Sequence, residues 1–268
     1  MVVGKHGDRL CWGVNKHDSH IDGLFVATTP NDPQFKMFSR LAKESDGKIM
    51  PIFQYGKTEI NYLKNRCPIL ATAMDRIGII ERPVEPNLFI ALVHSIVSQQ
   101  ISAKAAETIW QRMRHRFSSM TPQTLSATKI EIIQQCGVSM RKAAYIRETA
   151  GAVRRGELDI DRLHFLSDDE IRSKLVKLKG IGVWTAEMLM IFSMQRPDVL
   201  SWGDLAIHRG LRILYRHRIV TEKLFDKYRR RFSPYASVAS LYLWAVAGGA
   251  CEELPDPAAS KASKRKKG

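Results

Sequence analysis

Apolar residues recur every three or four positions between Tyr55 and Ala250, which is the period of an α-helix. Glycine, proline and serine interrupt this pattern about every ten to twenty residues, as expected where helices end. No stretch shows the convincing alternation of a half-buried strand. The pattern predicts an all-α domain over residues 51–250, with helices near residues 57–76, 87–101, 102–117, 122–135, 139–155, 168–178, 183–194, 204–215, 221–231 and 235–248.

Two of these helices begin with recognisable capping residues. Thr121 precedes Pro122, which places a side-chain acceptor before a first-turn proline. Ser167 precedes Glu170 by three residues, which is the spacing of a capping box. Both signals predict where a helix starts.

The two ends of the chain differ from the middle. Residues 1–50 are polar apart from the short apolar run Gly23–Ala27, and we expect a weakly ordered appendage or a short hairpin. Residues 251–268 include Pro255–Gly268, which is rich in proline, alanine, serine and lysine, and we expect a disordered basic tail. For its Lys264–Lys267 run a solvated tail is favoured over a phosphate-binding arm or a localisation signal.

The chain carries an excess of positive charge, and most of it lies in the helical domain. Its 268 residues include 42 Lys and Arg against 27 Asp and Glu, a formal net charge of +15. Residues 51–250 contribute +12 and residues 251–268 only +2. A composition of 44% hydrophobic and 26% charged residues argues against wholesale disorder and a disulfide scaffold. The charge favours a polyanionic partner, with nucleic acid ahead of an anionic membrane surface.

The four cysteines lie far apart in the sequence, so none has a partner at short metal-ligand spacing. We expect reduced, mostly buried thiols, no metal and no cofactor. The longest apolar stretch, Leu88–Val97, is interrupted by His94 and is too short to span a bilayer. Since the first residues also lack the apolar core of a signal peptide, we expect an intracellular protein, cytoplasmic in a bacterium and nuclear in a eukaryote.

The segment Leu178–Glu187 carries the most informative chemical signal. Gly180 and Gly182 flank Ile181 between two predicted helices, and glycines permit a tight turn at positive φ whose apolar residue is anchored in the core. Free backbone N–H groups at the start of the second helix bind phosphate without reading sequence, and Lys179 adds a cation. A plain helix connection with a glycine cap is the alternative.

This hairpin resembles that of the helix-hairpin-helix DNA glycosylase superfamily, and further motifs of that family occur in the right order. Asp204 lies 22 residues after Gly182, where the family has its essential aspartate at a helix start. Ile96–Ser102 resembles the segment that pushes a wedge side chain into the duplex, and Ser233–Trp244 resembles the final helix of the alkylated-base branch. The resemblance implies an all-α fold of about ten helices in two lobes, with the active-site cleft between them.

Two differences from other branches of the superfamily show which branch this chain resembles. Members that also cleave the DNA strand place a lysine two residues after the second hairpin glycine, where this chain has Trp184, so no lyase step is expected. Members with an iron–sulfur cluster use four closely spaced C-terminal cysteines, and this chain has only Cys251 there, which excludes the cluster. Trp184 together with Trp244 resembles the aromatic pair of the 3-methyladenine DNA glycosylase II family, in a compact form that lacks the N-terminal β domain.

The resemblance implies a role for each matching residue. Asp204 would be the catalytic carboxylate, which stabilises the sugar cation and orients the attacking water. The residues that would line the base pocket are Trp184, Trp244, Tyr242 and Trp202. The residues that would contact DNA are Lys179, Gly180, Ile181, Gly182, Thr185, Gln99 and Gln100. The resemblance implies that Gln100, alone or with Gln99 or Ile96, fills the gap left by the flipped base, and it does not fix which of these side chains is the wedge. Simpler alternatives are a helix cap for Asp204 and core packing for the tryptophans.

The resemblance predicts a monomeric, monofunctional DNA glycosylase that flips alkylated purines out of double-stranded DNA and leaves an abasic site. Purines of the 3-methyladenine and 7-methylguanine type carry positive charge, which suits an aromatic pocket and makes the base a good leaving group. The first alternative is a glycosylase for oxidised or deaminated purines, which would need hydrogen-bond donors in the pocket. The second is a helix-hairpin-helix DNA-binding protein without activity. The presence of Asp204 at the position of the family's catalytic aspartate argues against this alternative.

Overall fold

The computed structural model describes residues 51–258, so the appendage predicted for residues 1–50 and the last ten residues of the predicted tail lie outside the described residues. Residues 51–258 contain α-helices, a 3-10 helix at Asp161–Phe165 and no β-strand beyond one isolated bridge between Ile52 and Pro83. The helices are α1 (Lys57–Arg66), α2 (Pro68–Ile77), α3 (Leu88–Ser98), α4 (Ala103–Arg116), α5 (Pro122–Ala127), α6 (Ile130–Gln134), α7 (Met140–Arg154), α8 (Asp168–Leu175), α9 (Val183–Phe192), α10 (Leu205–Tyr215), α11 (Glu222–Phe232) and α12 (Ala236–Ala247).

The all-α prediction is confirmed, but two of the predicted helices are each divided in two. The helix predicted over residues 57–76 ends before Pro68, because proline has no N–H to donate and starts α2 instead. The helix predicted over residues 122–135 is interrupted at Thr128, whose backbone is extended and whose hydroxyl donates to Thr124 O at 2.7 Å. The other helices lie within three residues of their predicted ends. The predicted caps at Thr121 and Ser167 are both present.

The helices pack as two lobes. One lobe consists of α3 to α9, and the other consists of α1 and α2 packed against α10, α11 and α12. The first helices and the last are tied together by side chains, because Tyr62 donates to Ser233 O at 2.7 Å and Cys67 Sγ lies 2.9 Å from the Tyr215 hydroxyl. The two lobes meet where α9 of the first approaches the start of α10 in the second, through Trp184 and Asp204.

The helical domain extends beyond residue 250, where we predicted its end. Cys251 is buried, and the carboxylate of Asp256 accepts two hydrogen bonds from Arg212 on α10, at 3.1 and 2.8 Å. Arg209, one turn earlier, lies 3.8 Å from the same carboxylate. Residues 251–258 therefore belong to the folded domain, because a charged pair at α10 holds them there. The sequence analysis missed this because Pro255 and Pro257 interrupt any helical pattern, whereas the contact with Arg212 joins residues 44 positions apart.

The three cysteines among the described residues, Cys67, Cys136 and Cys251, are free and buried, as predicted. No helix within residues 51–258 is long and apolar enough to cross a membrane. In the same part of the chain, no three histidine, cysteine, aspartate or glutamate side chains group in a way that could hold a metal ion.

His94 is an ionisable residue inside the first lobe. It is 3% exposed on α3, and its ring packs edge-on against Trp110 with 4.6 Å between centroids. Burial lowers the pKa of His94 from 6.5 to about 4. Because the folded protein disfavours the protonated ring, this contribution to stability is complete above pH 6.5 and is lost as the pH falls toward 4.

We expect His94 alone to lower the free energy of unfolding by about 2 kcal/mol between pH 7.5 and pH 5. His94→Gln should remove that part of the pH dependence, measured by urea unfolding at both pH values. His115→Gln, at an exposed position of α4, is the control and should leave the pH dependence as it is. If His94→Gln keeps the full dependence, His94 is not the acid-sensitive group.

Candidate active site

Asp204 occupies the N-cap of α10. Its Oδ1 accepts hydrogen bonds from the backbone N–H groups of Ala206 and Ile207, both at 2.9 Å, and the residue is 3% exposed. Asp204 is therefore a helix cap, which was the simpler alternative considered for it above. It does not exclude chemistry, because the cap uses one oxygen and leaves the other directed elsewhere.

The second oxygen of Asp204 is held by Trp184. The indole Nε1–H of this residue donates to Oδ2 at 2.9 Å across the junction of the lobes. Trp184 lies in the first turn of α9 and is half-buried. The sequence predicted a stacking surface at Trp184 but not this hydrogen bond. A carboxylate offers about four acceptor positions, so three N–H donors leave one position on Oδ2 for a water or a sugar.

Behind Asp204 lies a second buried carboxylate, which was not among the residues predicted for the site. Glu187, one turn after Trp184 on α9, accepts a hydrogen bond from Ser201 Oγ at 2.5 Å, and Arg172 Nε lies 3.2 Å from its other oxygen without hydrogen-bond geometry. Burial raises the pKa of Glu187, and the nearby charge of Asp204 raises it further against the opposing effects of Ser201 and Arg172. Ser201 begins the turn that ends at Asp204, so Glu187 anchors that turn. The sequence signal that could have identified Glu187 is that it is an acidic residue within an otherwise largely apolar helix.

The hairpin between α8 and α9 is formed as predicted at Ile181. This residue is 4% exposed, and its N–H donates to Leu178 O at 3.1 Å. Gly180 has φ +87, which only glycine adopts readily. Gly182 has φ −86 and is the N-cap of α9, so the turn uses the positive φ that glycine permits at Gly180 and not at Gly182. No side chain caps α9, which leaves its first N–H groups free for an anion.

Gly180→Ala is expected to destabilise the protein by about 1–3 kcal/mol. The alanine would have to adopt the positive φ of this position, and its Cβ would lie 2.6 Å from Tyr145 Cδ2. Gly182→Ala is the matched control. A Cβ there meets no atom within 4 Å, and the expected cost is below about 1 kcal/mol. Urea unfolding compares the two variants. Equal losses would show that the positive φ at Gly180 is not what the hairpin requires.

The predicted pocket aromatics divide into different environments. Tyr242 is fully buried, and its hydroxyl donates to Gly78 O at 2.9 Å, so it belongs to the core and the pocket assignment was wrong. Trp202 is 44% exposed and packs edge-on against His208 and Phe225. Trp244 is 7% exposed and packs against Phe192, with no hydrogen-bond partner for its buried Nε1–H among residues 51–258. Its pocket role stays a prediction.

The predicted DNA-contacting residues also differ in exposure. Gln100 is exposed, with φ +56, directly after α3. Gln99 is half-buried, and its amide donates to Gly180 O at 2.7 Å. Ile96 is fully buried, which removes it as a wedge. Thr185 is only 8% exposed, which leaves little of it for a phosphate. Lys179 is exposed and forms an ion pair with Glu148 at 3.1 Å.

A glycine hairpin between two helices, followed by a buried helix-capping carboxylate where two helical lobes meet, is the arrangement of a helix-hairpin-helix protein. The model of the HhH-GPD superfamily of base excision DNA repair proteins matches residues 93–234, which include the hairpin and Asp204. The chain belongs to this family.

Several relatives share the architecture. DNA-3-methyladenine glycosylase 1 of Schizosaccharomyces pombe is 35% identical over 158 residues, which is 57% of this chain and 69% of that protein. The crystal structure of DNA-3-methyladenine glycosidase from Bacillus halodurans has a TM-score of 0.70 at 38% identity and covers 76% of this chain and 96% of its own. The S. pombe 3-methyladenine DNA glycosylase in complex with abasic DNA has a TM-score of 0.60 at 31% identity and covers 70% and 95%.

Proposed function

We propose that this protein is a monofunctional DNA glycosylase that hydrolyses the N-glycosidic bond of alkylated purines in duplex DNA. The observation that carries the proposal is the carboxylate of Asp204, held by three N–H donors with one acceptor position left on Oδ2. The relatives named for 3-methyladenine support the substrate class. The basic excess of the domain would attract the DNA backbone without reading sequence.

In the reaction, the bond between C1′ and the base nitrogen breaks, and its electron pair leaves with the base. An alkylated purine is already cationic, so it departs as a neutral molecule and needs no general acid. The sugar that remains has the character of an oxocarbenium ion, which the negative charge of Asp204 stabilises at short range. Water adds to C1′ and loses its proton to Asp204 or to solvent, as in glycoside hydrolysis with one carboxylate instead of two.

Trp184 contributes in two ways. Its N–H fixes the orientation of the Asp204 carboxylate. Its half-exposed ring would offer an electron-rich face to a cationic base, which is worth about 0.5–2 kcal/mol depending on desolvation. It also stands where strand-cleaving members have a lysine, so no Schiff base with the sugar would form.

The test incubates the purified protein with duplexes that contain 3-methyladenine, 7-methylguanine, hypoxanthine or 8-oxoguanine, and measures free base and abasic sites. We expect release of the methylated purines and strand breaks only after heat or alkali. Release of hypoxanthine or 8-oxoguanine alone would favour the alternative glycosylase. Binding to abasic duplex without release of any base would favour a DNA-binding protein without activity. Light scattering of the enzyme with and without DNA tests the monomer that we also propose.

A further inference from the structure

We infer that Gln99 and Lys142 act together as positioning residues that hold the exposed turn at Gln100 in a fixed relation to the Gly180 hairpin. The inference rests on the proposed function, since these are the two loops that would meet DNA. Their fixed relation would let the protein grip phosphates and open the base stack as one rigid unit.

The side chain of Gln99 is committed to the hairpin. Its Nε2 donates to Gly180 O at 2.7 Å, which joins residues 81 positions apart in the sequence. Gln99 is half-buried, whereas Gln100 beside it is exposed. The two neighbouring glutamines therefore have different functions, and only Gln100 is free to enter a duplex.

Lys142 holds the other side of the same turn. Its ammonium donates to Val97 O at 2.8 Å and to Gln99 O at 2.5 Å, which are carbonyls at the C-terminal end of α3. These carbonyls lack partners within a helix, and a cation there is favoured by the helix dipole. Both hydrogen bonds of the Lys142 ammonium within residues 51–258 are therefore made to the turn itself. Burial lowers the pKa of Lys142, and Arg141 adds to this effect.

The backbone of Gln100 needs this support. A non-glycine residue at φ +56 is strained and persists only where its surroundings determine it. Lys142 binds the carbonyl that immediately precedes Gln100, and Gln99 is fixed through its side chain. Lys142 holds the peptide before the strained residue and Gly180 holds the side chain of Gln99, so together these contacts would fix the direction in which Gln100 leaves the protein.

Helix α7 connects both loops along one face. Tyr145, three residues after Lys142, lies against Gly180, and Glu148, three residues further, pairs with Lys179. Residues spaced by three or four lie on the same side of a helix. The turn at Gln100 and the hairpin are thus joined twice, directly through Gln99 and indirectly through α7. Loss of one link should change how the loops cooperate on DNA more than it changes the stability of the fold.

The experiment measures recognition of DNA without requiring base release. Gln99→Leu keeps the volume of the side chain and removes its donor, and Lys142→Met removes the ammonium. We compare affinities for an undamaged duplex and for a duplex with a tetrahydrofuran abasic analogue, and we follow unstacking by the fluorescence of 2-aminopurine beside the analogue. Gln111→Leu is the matched control, because that amide donates to Glu107 within α4, outside both loops.

We expect each variant to lower the preference for abasic over undamaged duplex by about tenfold and to reduce the 2-aminopurine signal. Any loss of affinity for undamaged duplex should be smaller than the loss for abasic duplex, and the melting temperature should stay close to that of Gln111→Leu. Lys142→Arg should restore the preference. Gln99→Leu combined with Gln100→Ala should lose no more preference than Gln100→Ala alone, because both changes act on one wedge.

An unchanged preference in Gln99→Leu and Lys142→Met would overturn the inference, as would a loss of both affinities in step with a lower melting temperature. A wild-type protein that binds the two duplexes equally would overturn the inference, and release of a methylated purine by that protein would leave the proposed function standing. A wild-type protein that prefers the abasic duplex but releases no base would overturn the proposed function alone.

Discussion

Asp204→Asn is expected to lower the rate of base release by at least about 10³-fold while the fold stays intact. The substitution removes the negative charge and keeps an oxygen that can accept from Ala206 and Ile207. The amide nitrogen would then face the indole N–H of Trp184, and two donors in contact cost about 1–2 kcal/mol of stability. The loss of rate has a separate cause from this loss of stability, because an uncharged amide cannot stabilise a sugar cation.

The measurement is single-turnover release of a methylated purine, with affinity for abasic duplex recorded in parallel. Affinity should stay the same or rise, because the charge that is removed repels phosphates. Asp198→Asn is the matched control. Its carboxylate accepts from the first N–H of α12, at Ala236, and from Ser233 Oγ, so it also binds the start of a helix but lies outside the candidate site. We expect its rate within about threefold of wild type. Near-normal turnover by Asp204→Asn would refute the catalytic assignment.

The sequence predicted most of the fold because its signals are local. Helical periodicity, Thr121 and Ser167 placed most helices within three residues, and the error at residues 57–76 came from a proline whose effect is equally local. The hairpin could be located from its two glycines, and Asp204 from its distance along the chain after them. Both signals can be read from the order of residues without knowing which helices pack together.

The contacts of the candidate site could not be predicted in the same way. Trp184 and Tyr242 lie at similar apolar positions of buried helices, yet one reaches Asp204 and the other Gly78. The helical period of apolar residues predicts which face of a helix is buried, but not which atoms of other helices contact that face. Gln99 and Gln100 are identical residues, and only the left-handed backbone of the second separates their directions. Such differences follow from packing between helices that are distant in the sequence.

Helices α10 and α12 pack closely together at Gly210. A Cβ at this position would lie 2.3 Å from the backbone oxygen of Leu243 and 2.9 Å from its carbonyl carbon. Since both atoms belong to the main chain of α12, no side-chain rotation can relieve the overlap. Glycine is therefore required here by the distance between two helices. The same helix α10 carries Asp204 at its start, so its placement also sets the position of the carboxylate.

Gly210→Ala is expected to lower the free energy of unfolding by about 3 kcal/mol, since overpacking outweighs the gain of about 1 kcal/mol in helix propensity. The melting temperature should fall by roughly 6–12 °C. Gly151→Ala in α7 is the matched control: its Cβ would meet only the flexible end of Arg155, so we expect unchanged or higher stability. Leu243→Ala should not rescue Gly210→Ala, because the obstructing atoms are backbone. Rescue by Leu243→Ala, or equal stability of the two glycine variants, would show that α10 and α12 can separate without cost.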